Sequence, residues 1–222
     1  RLTGFIPSHS HFQKKGLWKG KQINVGLPRW SHLKKIPHSE KQIFVFFTWR
    51  KSNESLFQKR IFSFLTCEKL QSLLKENNIT LNVGIHHESL VKNNLIDFKG
   101  FDNIHVVQGA YFPYIGKTDL MITDYSSLAF DFMFLDIPVL FYRPDKDIPY
   151  TDTRDRRDMK CAQSRDKELY NVFYEENAVI NKIAFYIQNH FVLEPEYKKI
   201  NDSFFWEKKD ICKHLYEQIK AL

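Results

Sequence analysis

Ser126 and Ser127 stand where an apolar tetrapeptide gives way to a helix-length apolar segment, and hydroxyls at such a junction can hold a phosphate. The run is Leu120-Met-Ile-Thr-Asp-Tyr-Ser-Ser-Leu-Ala-Phe-Asp-Phe-Met-Phe-Leu-Asp-Ile-Pro-Val-Leu-Phe-Tyr142. A serine at an N-cap turns its hydroxyl and the free first-turn amides outward with the positive end of the helix dipole, which attracts anions. The bland alternative is an ordinary serine cap of the kind any strand-to-helix junction carries. Thr48 and Arg50 close another apolar run, and a hydroxyl beside a planar, bidentate guanidinium suits nucleotide phosphate. Arg50 would equally serve as a surface arginine paired with Glu54. His86 and His87 close a third run; an imidazole there suits a general base or a phosphate ligand, or both are plain loop residues. His9 and His11 are close enough to share a metal, but no carboxylate or cysteine stands near them, which favours a solvated loop.

These groups need elements to hold them. Leu120 to Thr123 reads as a short buried strand, Asp124 and Tyr125 interrupt it, and a helix is expected from Ser126 through Leu128, Phe132 and Leu135. Pro138 stops that helix before a second strand, Pro138 to Tyr142, so the unit is βαβ with its pocket at the carboxyl end of the first strand. Ile43 to Thr48 is an unbroken β-branched and aromatic run, expected of a parallel strand buried on both faces. Ser55 to Lys75 carries apolar residues at helical spacing and stops at Asn77-Asn78; Thr80 to Ile85 and Ile104 to Val107 return as strands. Ile23 to Trp30 reads as a short strand running into a Gly-x-Pro-Arg turn, and Tyr111 to Gly116 as a turn with one helical turn. Asn181 to Phe191 is a short amphipathic helix, and Ile211, Leu215, Ile219 and Leu222 mark a closing one. Strands alternating with helices predict an α/β fold with a parallel sheet. The expected organisation is an entry segment over 1–20, one nucleotide-binding domain over 21–200 and the closing helix within 201–222.

With 222 residues and 20 phenylalanines the chain can bury a sizeable core. A net charge of +7 implies attraction to polyanions, whether nucleic acid, anionic lipid or a phosphate-rich substrate. No recognised DNA or RNA motif appears and the basic residues are dispersed, so nucleic acid is not the expected partner. The three cysteines, Cys67, Cys161 and Cys212, fit no zinc pattern and suggest a reducing compartment. The first residue is Arg1 and no signal-peptide pattern follows, so the sequence is expected to begin mid-protein. Leu128 to Tyr142, interrupted by Asp131, Asp136 and Pro138, is too short and polar to span a bilayer, which leaves peripheral membrane contact.

Ile122-Thr-Asp-Tyr-Ser-Ser127, followed by Phe130-Asp131, Pro138, Phe141-Tyr142 and Asp145, resembles the signature of the CDP-glycerol glycerophosphotransferase family. Those enzymes are polymerases and primases of teichoic acids and related bacterial capsules. Gly26-Leu-Pro-Arg29 resembles the family's Gly-x-Pro-Arg segment, and Thr48-Trp-Arg50 its Pro-Thr-Trp/Phe-Arg element, with Phe47 in place of the proline. His86 matches the histidine of a His-Pro pair, with His87 in place of the proline.

The resemblance implies a Rossmann-like parallel sheet with helices on both faces, the C-terminal, donor-binding domain of a GT-B architecture. The family's Trp-His-Gly motif and second catalytic histidine belong to the N-terminal half and are not seen in this sequence. The donor-binding half alone is expected to bind nucleotide and catalyse poorly. The implied reaction moves glycerol or ribitol phosphate from a CDP-alditol to a hydroxyl of a lipid-linked or polysaccharide acceptor, releasing CMP at the inner face of a bacterial cytoplasmic membrane. His86 would act as base or phosphate ligand. Ser126, Ser127 and Arg50 would hold the diphosphate; Thr48, Thr123, Asp124, Tyr125 and Asp131 would serve the nucleotide side, with the two aspartates bracing the turn or meeting ribose. Tyr111, Phe112 or Tyr114 would stack on cytosine if they are not core. Arg29, His87, Arg154 and Arg157 would meet acceptor or phosphate. No carboxylate cluster compels a metal, and Mg2+ is the one cofactor this chemistry admits. Two other classes fit the same features: a different GT-B sugar-nucleotide enzyme, either glycosyltransferase or epimerase, and a non-catalytic basic module that binds polyanions.

Overall fold

The computed structural model describes residues 25–85, 97–153, 166, 169–205 and 208–221. Six strands form one parallel sheet: β1 (Lys41–Phe46), β2 (Ile79–Gly84), β3 (Ile104–Val107), β4 (Leu120–Thr123), β5 (Val139–Tyr142) and β6 (Val172–Phe173). Their spatial order is β3-β2-β1-β4-β5-β6. That is the doubly wound order of dinucleotide-binding folds, in which the chain reverses direction across the sheet between β1 and β4.

The apolar runs form strands because both faces of each are covered. Along β1, Ile43, Val45 and the following Phe47 enter one apolar layer while Phe44 and Phe46 enter the other. On β4, Leu120 and Ile122 face the first layer and Met121 the second. The first layer is closed by α1 (Glu54–Thr66), α2 (Glu68–Glu76) and α5 (Glu176–Gln188) through side chains such as Phe64, Leu70 and Ile183. The second is closed by α3 (Phe112–Ile115), α4 (Ala129–Phe134), α6 (Pro195–Phe204), α7 (Ile211–Lys220) and Trp30. A parallel sheet buried this way supports near-continuous hydrophobic strands rather than alternating ones.

Several boundaries differ from expectation. The segment expected as one helix from Ser55 to Lys75 is broken at Cys67, whose extended backbone (φ −63°, ψ 142°) ends α1 and caps α2. Val25 to Leu27 form no strand, and Pro28–His32 is a 3-10 helix with proline at its start, where a missing N–H costs nothing. The helix expected from Ser126 begins at Ala129, after a turn. The helix expected over Asn181 to Phe191 runs five residues earlier at its start, and α6 covers Asp202 to Phe204, read as the approach to the closing helix.

Candidate functional site

Because the winding reverses between β1 and β4, the carboxyl ends of those two strands flank a crevice, the place where open α/β sheets bind ligands. β1 delivers Thr48 and Arg50 to this edge; β4 delivers Asp124, Tyr125, Ser126 and Ser127. Asp124 is fully buried and ties the two strand ends together. Its carboxylate accepts from the Thr48 amide at 2.9 and 3.1 Å, from the Thr48 hydroxyl at 3.0 Å and from Arg50 Nη2 at 2.6 Å. Arg50 also donates to Asp145 from Nη2 at 2.7 Å and Nε at 3.0 Å, and to the Thr48 carbonyl at 2.6 Å. Tyr150 donates to Asp145 at 2.8 Å. Burial pulls the Arg50 pKa down, but Asp124 and Asp145 outweigh it and leave the guanidinium more firmly protonated than in water.

This network corrects two readings of Arg50. It is neither a surface arginine nor one presented to a diphosphate: only 3% exposed, it is committed to two carboxylates. Glu54 accepts from its backbone amide at 2.7 Å, not from its guanidinium. Thr123 is likewise withdrawn from a nucleotide, since it is fully buried and its hydroxyl donates to the Phe46 carbonyl at 2.6 Å. Asp124 and Asp131 both serve as braces. Asp131 accepts from Trp30 Nε1 at 2.5 Å and Arg29 Nε at 2.9 Å, which clamps the 3-10 helix to α4. A buried carboxylate with several donors around it holds its position by hydrogen bonding and has little surface left for ligand.

The serines occupy a different position. Ser127 is exposed and Ser126 half-buried. The Ser126 hydroxyl accepts from the Leu128 amide at 3.2 Å, and the Ser126 and Ser127 carbonyls accept from Ala129 and Phe130, each at 3.2 Å. Among the described residues, neither the two serine amides nor the Ser127 hydroxyl finds a protein acceptor. Free donors in a turn at a strand's carboxyl end are the kind of feature that can receive an anion. Arg29 is exposed, held by Nε against Asp131 one turn along α4, with its terminal nitrogens turned to no carboxylate among the described residues.

Of the aromatic trio, Tyr111 packs on Phe44 and Phe46 and donates to the Ile85 carbonyl at 2.8 Å, and Tyr114 lies against Phe44. Phe112, at 44% exposed, is the ring left open. His86, His87, Arg154 and Arg157 lie outside the described residues, as do His9 and His11. Ile85, the last described residue before His86, leaves at the carboxyl edge of β2. Among the described residues no three His, Cys, Asp or Glu side chains converge to hold a metal ion. No described helix is long and apolar enough to cross a membrane.

A family model described as CDP-glycerol:poly(glycerophosphate) glycerophosphotransferase matches residues 27–211. The chain belongs to this family. The minor teichoic acid biosynthesis protein GgaB of Bacillus subtilis (strain 168) is 27% identical over 94% of this chain, which spans 25% of that protein. A teichoic acid poly(glycerol phosphate) polymerase of Bacillus spizizenii is 33% identical over 44% of the chain. The wall teichoic acid polymerase TagF superposes with a TM-score of 0.62 at 18% identity, covering 99% of this chain and 57% of TagF. That likeness establishes a shared fold. The glycerophosphotransferase family model covers every described residue of the site, from Arg29 to Asp145.

Proposed function

We propose that this chain forms the donor-binding part of a transferase that moves glycerol phosphate from CDP-glycerol to a hydroxyl of a growing teichoic acid, releasing CMP. What carries the reading is the Ser126-Ser127 turn: free amides and an exposed hydroxyl at the switch point, in a chain of the glycerophosphotransferase family. A structure of TagF soaked with CDPG supports a donor of that kind for that protein, and by family for this one.

In this reading the acceptor oxygen attacks the phosphorus that bears the glycerol. A phosphodiester bond forms, the bond to the bridging oxygen breaks, and CMP leaves with that oxygen. The acceptor proton passes to His86, with His87 beside it. Charge accumulates on the transferred phosphoryl group and on CMP, so catalysis is mainly electrostatic. The serine turn meets the diphosphate; Arg29 supplies a cation at the same edge, and Arg154 and Arg157 would contact acceptor or phosphate. Arg50, Asp124 and Asp145 act beneath, by holding the strand ends. Mg2+ would enter with the diphosphate, because the buried carboxylates are engaged by Arg50 and Thr48. The acceptor is inferred to be lipid-linked or a polysaccharide, with the protein at the cytoplasmic face of a bacterial membrane.

The test is CMP release by the full-length protein supplied with CDP-glycerol, CDP-ribitol or UDP-GlcNAc. Cytidine-alditol turnover that falls at least about tenfold in Ser127→Ala, with little change in stability, supports the reading. Turnover of UDP-GlcNAc alone moves the chain to the sugar-nucleotide enzymes.

A further inference from the structure

Tyr125 sits between Asp124 and Ser126, so whatever fixes its ring fixes the turn. Among the described residues, two guanidinium groups lie against that ring. Arg50 reaches it at 5.2 Å from the β1 side, and Arg143, the residue after β5, at 4.5 Å. Arg143 is 1% exposed, closer to the ring than Arg50, and pairs with Asp166, which also accepts from Tyr174 at 2.7 Å. Its Nε is buried without a hydrogen-bond partner among the described residues. A buried guanidinium carrying an unsatisfied donor is expensive. Ion pairing with Asp166 satisfies only part of the group, so the fold tolerates a cost that a methionine or leucine at this position would avoid.

We propose that Arg143 is a positioning residue for the donor turn: from the end of β5 it holds the Tyr125 ring by cation–π contact and thereby sets the Ser126-Ser127 donors against the donor's diphosphate. The inference rests on the donor-site reading above. It adds a third strand to the site, since β1 and β4 build the crevice and β5 sets the aromatic residue of its turn. Electrostatics favour the arrangement because the ring quadrupole offers the second buried cation a face where Asp124 and Asp145 are already taken by Arg50. A lysine at 143 would keep a charge but lose the fork that spans ring and carboxylate.

The experiment is a double-substitution cycle in the full-length protein, read by calorimetric affinity for CDP-glycerol at a temperature where thermal unfolding shows every variant folded. Arg143→Gln and Tyr125→Leu are each expected to weaken binding about tenfold, and the double variant no more than Tyr125→Leu alone. Arg143→Lys should recover part of the loss and also serves if Arg143→Gln does not fold. Lowered melting temperature with unchanged affinity overturns the proposal and makes Arg143 a purely structural residue; so do losses that simply multiply. Ser127→Ala is the control. If it weakens binding and Arg143→Gln does not, the inference alone fails; if Ser127→Ala leaves affinity untouched, the donor-site reading fails with it.

Discussion

Arg50 is bound to carboxylates 74 and 95 residues away in sequence, and that distance explains both its importance and its concealment. A buried ion pair contributes little net stability, but removing one partner strands the other without solvent. Asp124→Asn should therefore cost about 3 kcal/mol in urea unfolding, since Arg50 loses one of its two countercharges. Thr48→Val removes one hydroxyl bond to Asp124 and leaves the backbone amide bond intact, so about 1 kcal/mol is expected from the same measurement. The residues at the strand ends were legible as a cluster because charged and hydroxylated side chains closing apolar strands stand out. Bracing was one of the two roles read for Asp124 and Asp131, but the commitment of Arg50 was not legible, because its burial depends on Asp124 and Asp145 converging from distant positions. Asp136 offers a pH test. Burial raises its carboxyl, but bonds from Lys208 at 2.9 Å and Lys198 at 3.0 Å outweigh that and hold its pKa below the ordinary value. With the folded value below the unfolded one, its contribution is complete above about pH 4 and is lost as pH falls through the folded value. Asparagine tolerates the left-handed backbone there (φ 53°), so Asp136→Asn tests the charge. The melting temperatures of variant and wild type should differ at neutral pH and converge in acid.

At the level of elements, close backbone approach matters as much as side-chain chemistry. Gly116, between α3 and β4, accepts from the Ile36 amide at 2.8 Å, and a Cβ on it would stand 2.3 Å from the Lys34 carbonyl. That neighbour is backbone and cannot rotate away, so Gly116→Ala should cost about 1–3 kcal/mol, read as a lowered melting temperature. β3 and β4 were read from the sequence at the observed bounds, and β1, β2 and β5 within two residues at either end, because an apolar run in a doubly covered sheet has one stable placement. The helical layer was less legible. The α1–α2 break falls at Cys67 with no glycine or proline to announce it, and the surrounding apolar spacing stays helical on both sides. The late start of α4 has a local cause: Ser126 accepts from the Leu128 amide, which forms a turn before the helix rather than a cap on it. β6, two residues long, offers too short a pattern to read.

At the scale of the whole molecule, the six strands and their order make one doubly wound parallel sheet in a sequence of net positive charge. The net +7 should draw a phosphodiester acceptor more strongly than a single donor molecule. Raising ionic strength is therefore expected to increase the KM for polymer acceptor more steeply than that for CDP-glycerol, in steady-state CMP release by the full-length protein. The chain spans 57% of TagF and 25% of GgaB. The strands that carry the proposed donor site, β1, β4 and β5, all lie within the chain. The most direct measurement is calorimetric titration of the full-length protein with CDP-glycerol, CMP and UDP-GlcNAc, repeated on Ser127→Ala. Cytidine-selective binding that weakens with the substitution is the predicted result. Binding with no cytidine preference, or indifferent to Ser127, would contradict the assignment of the donor site to the β4 turn.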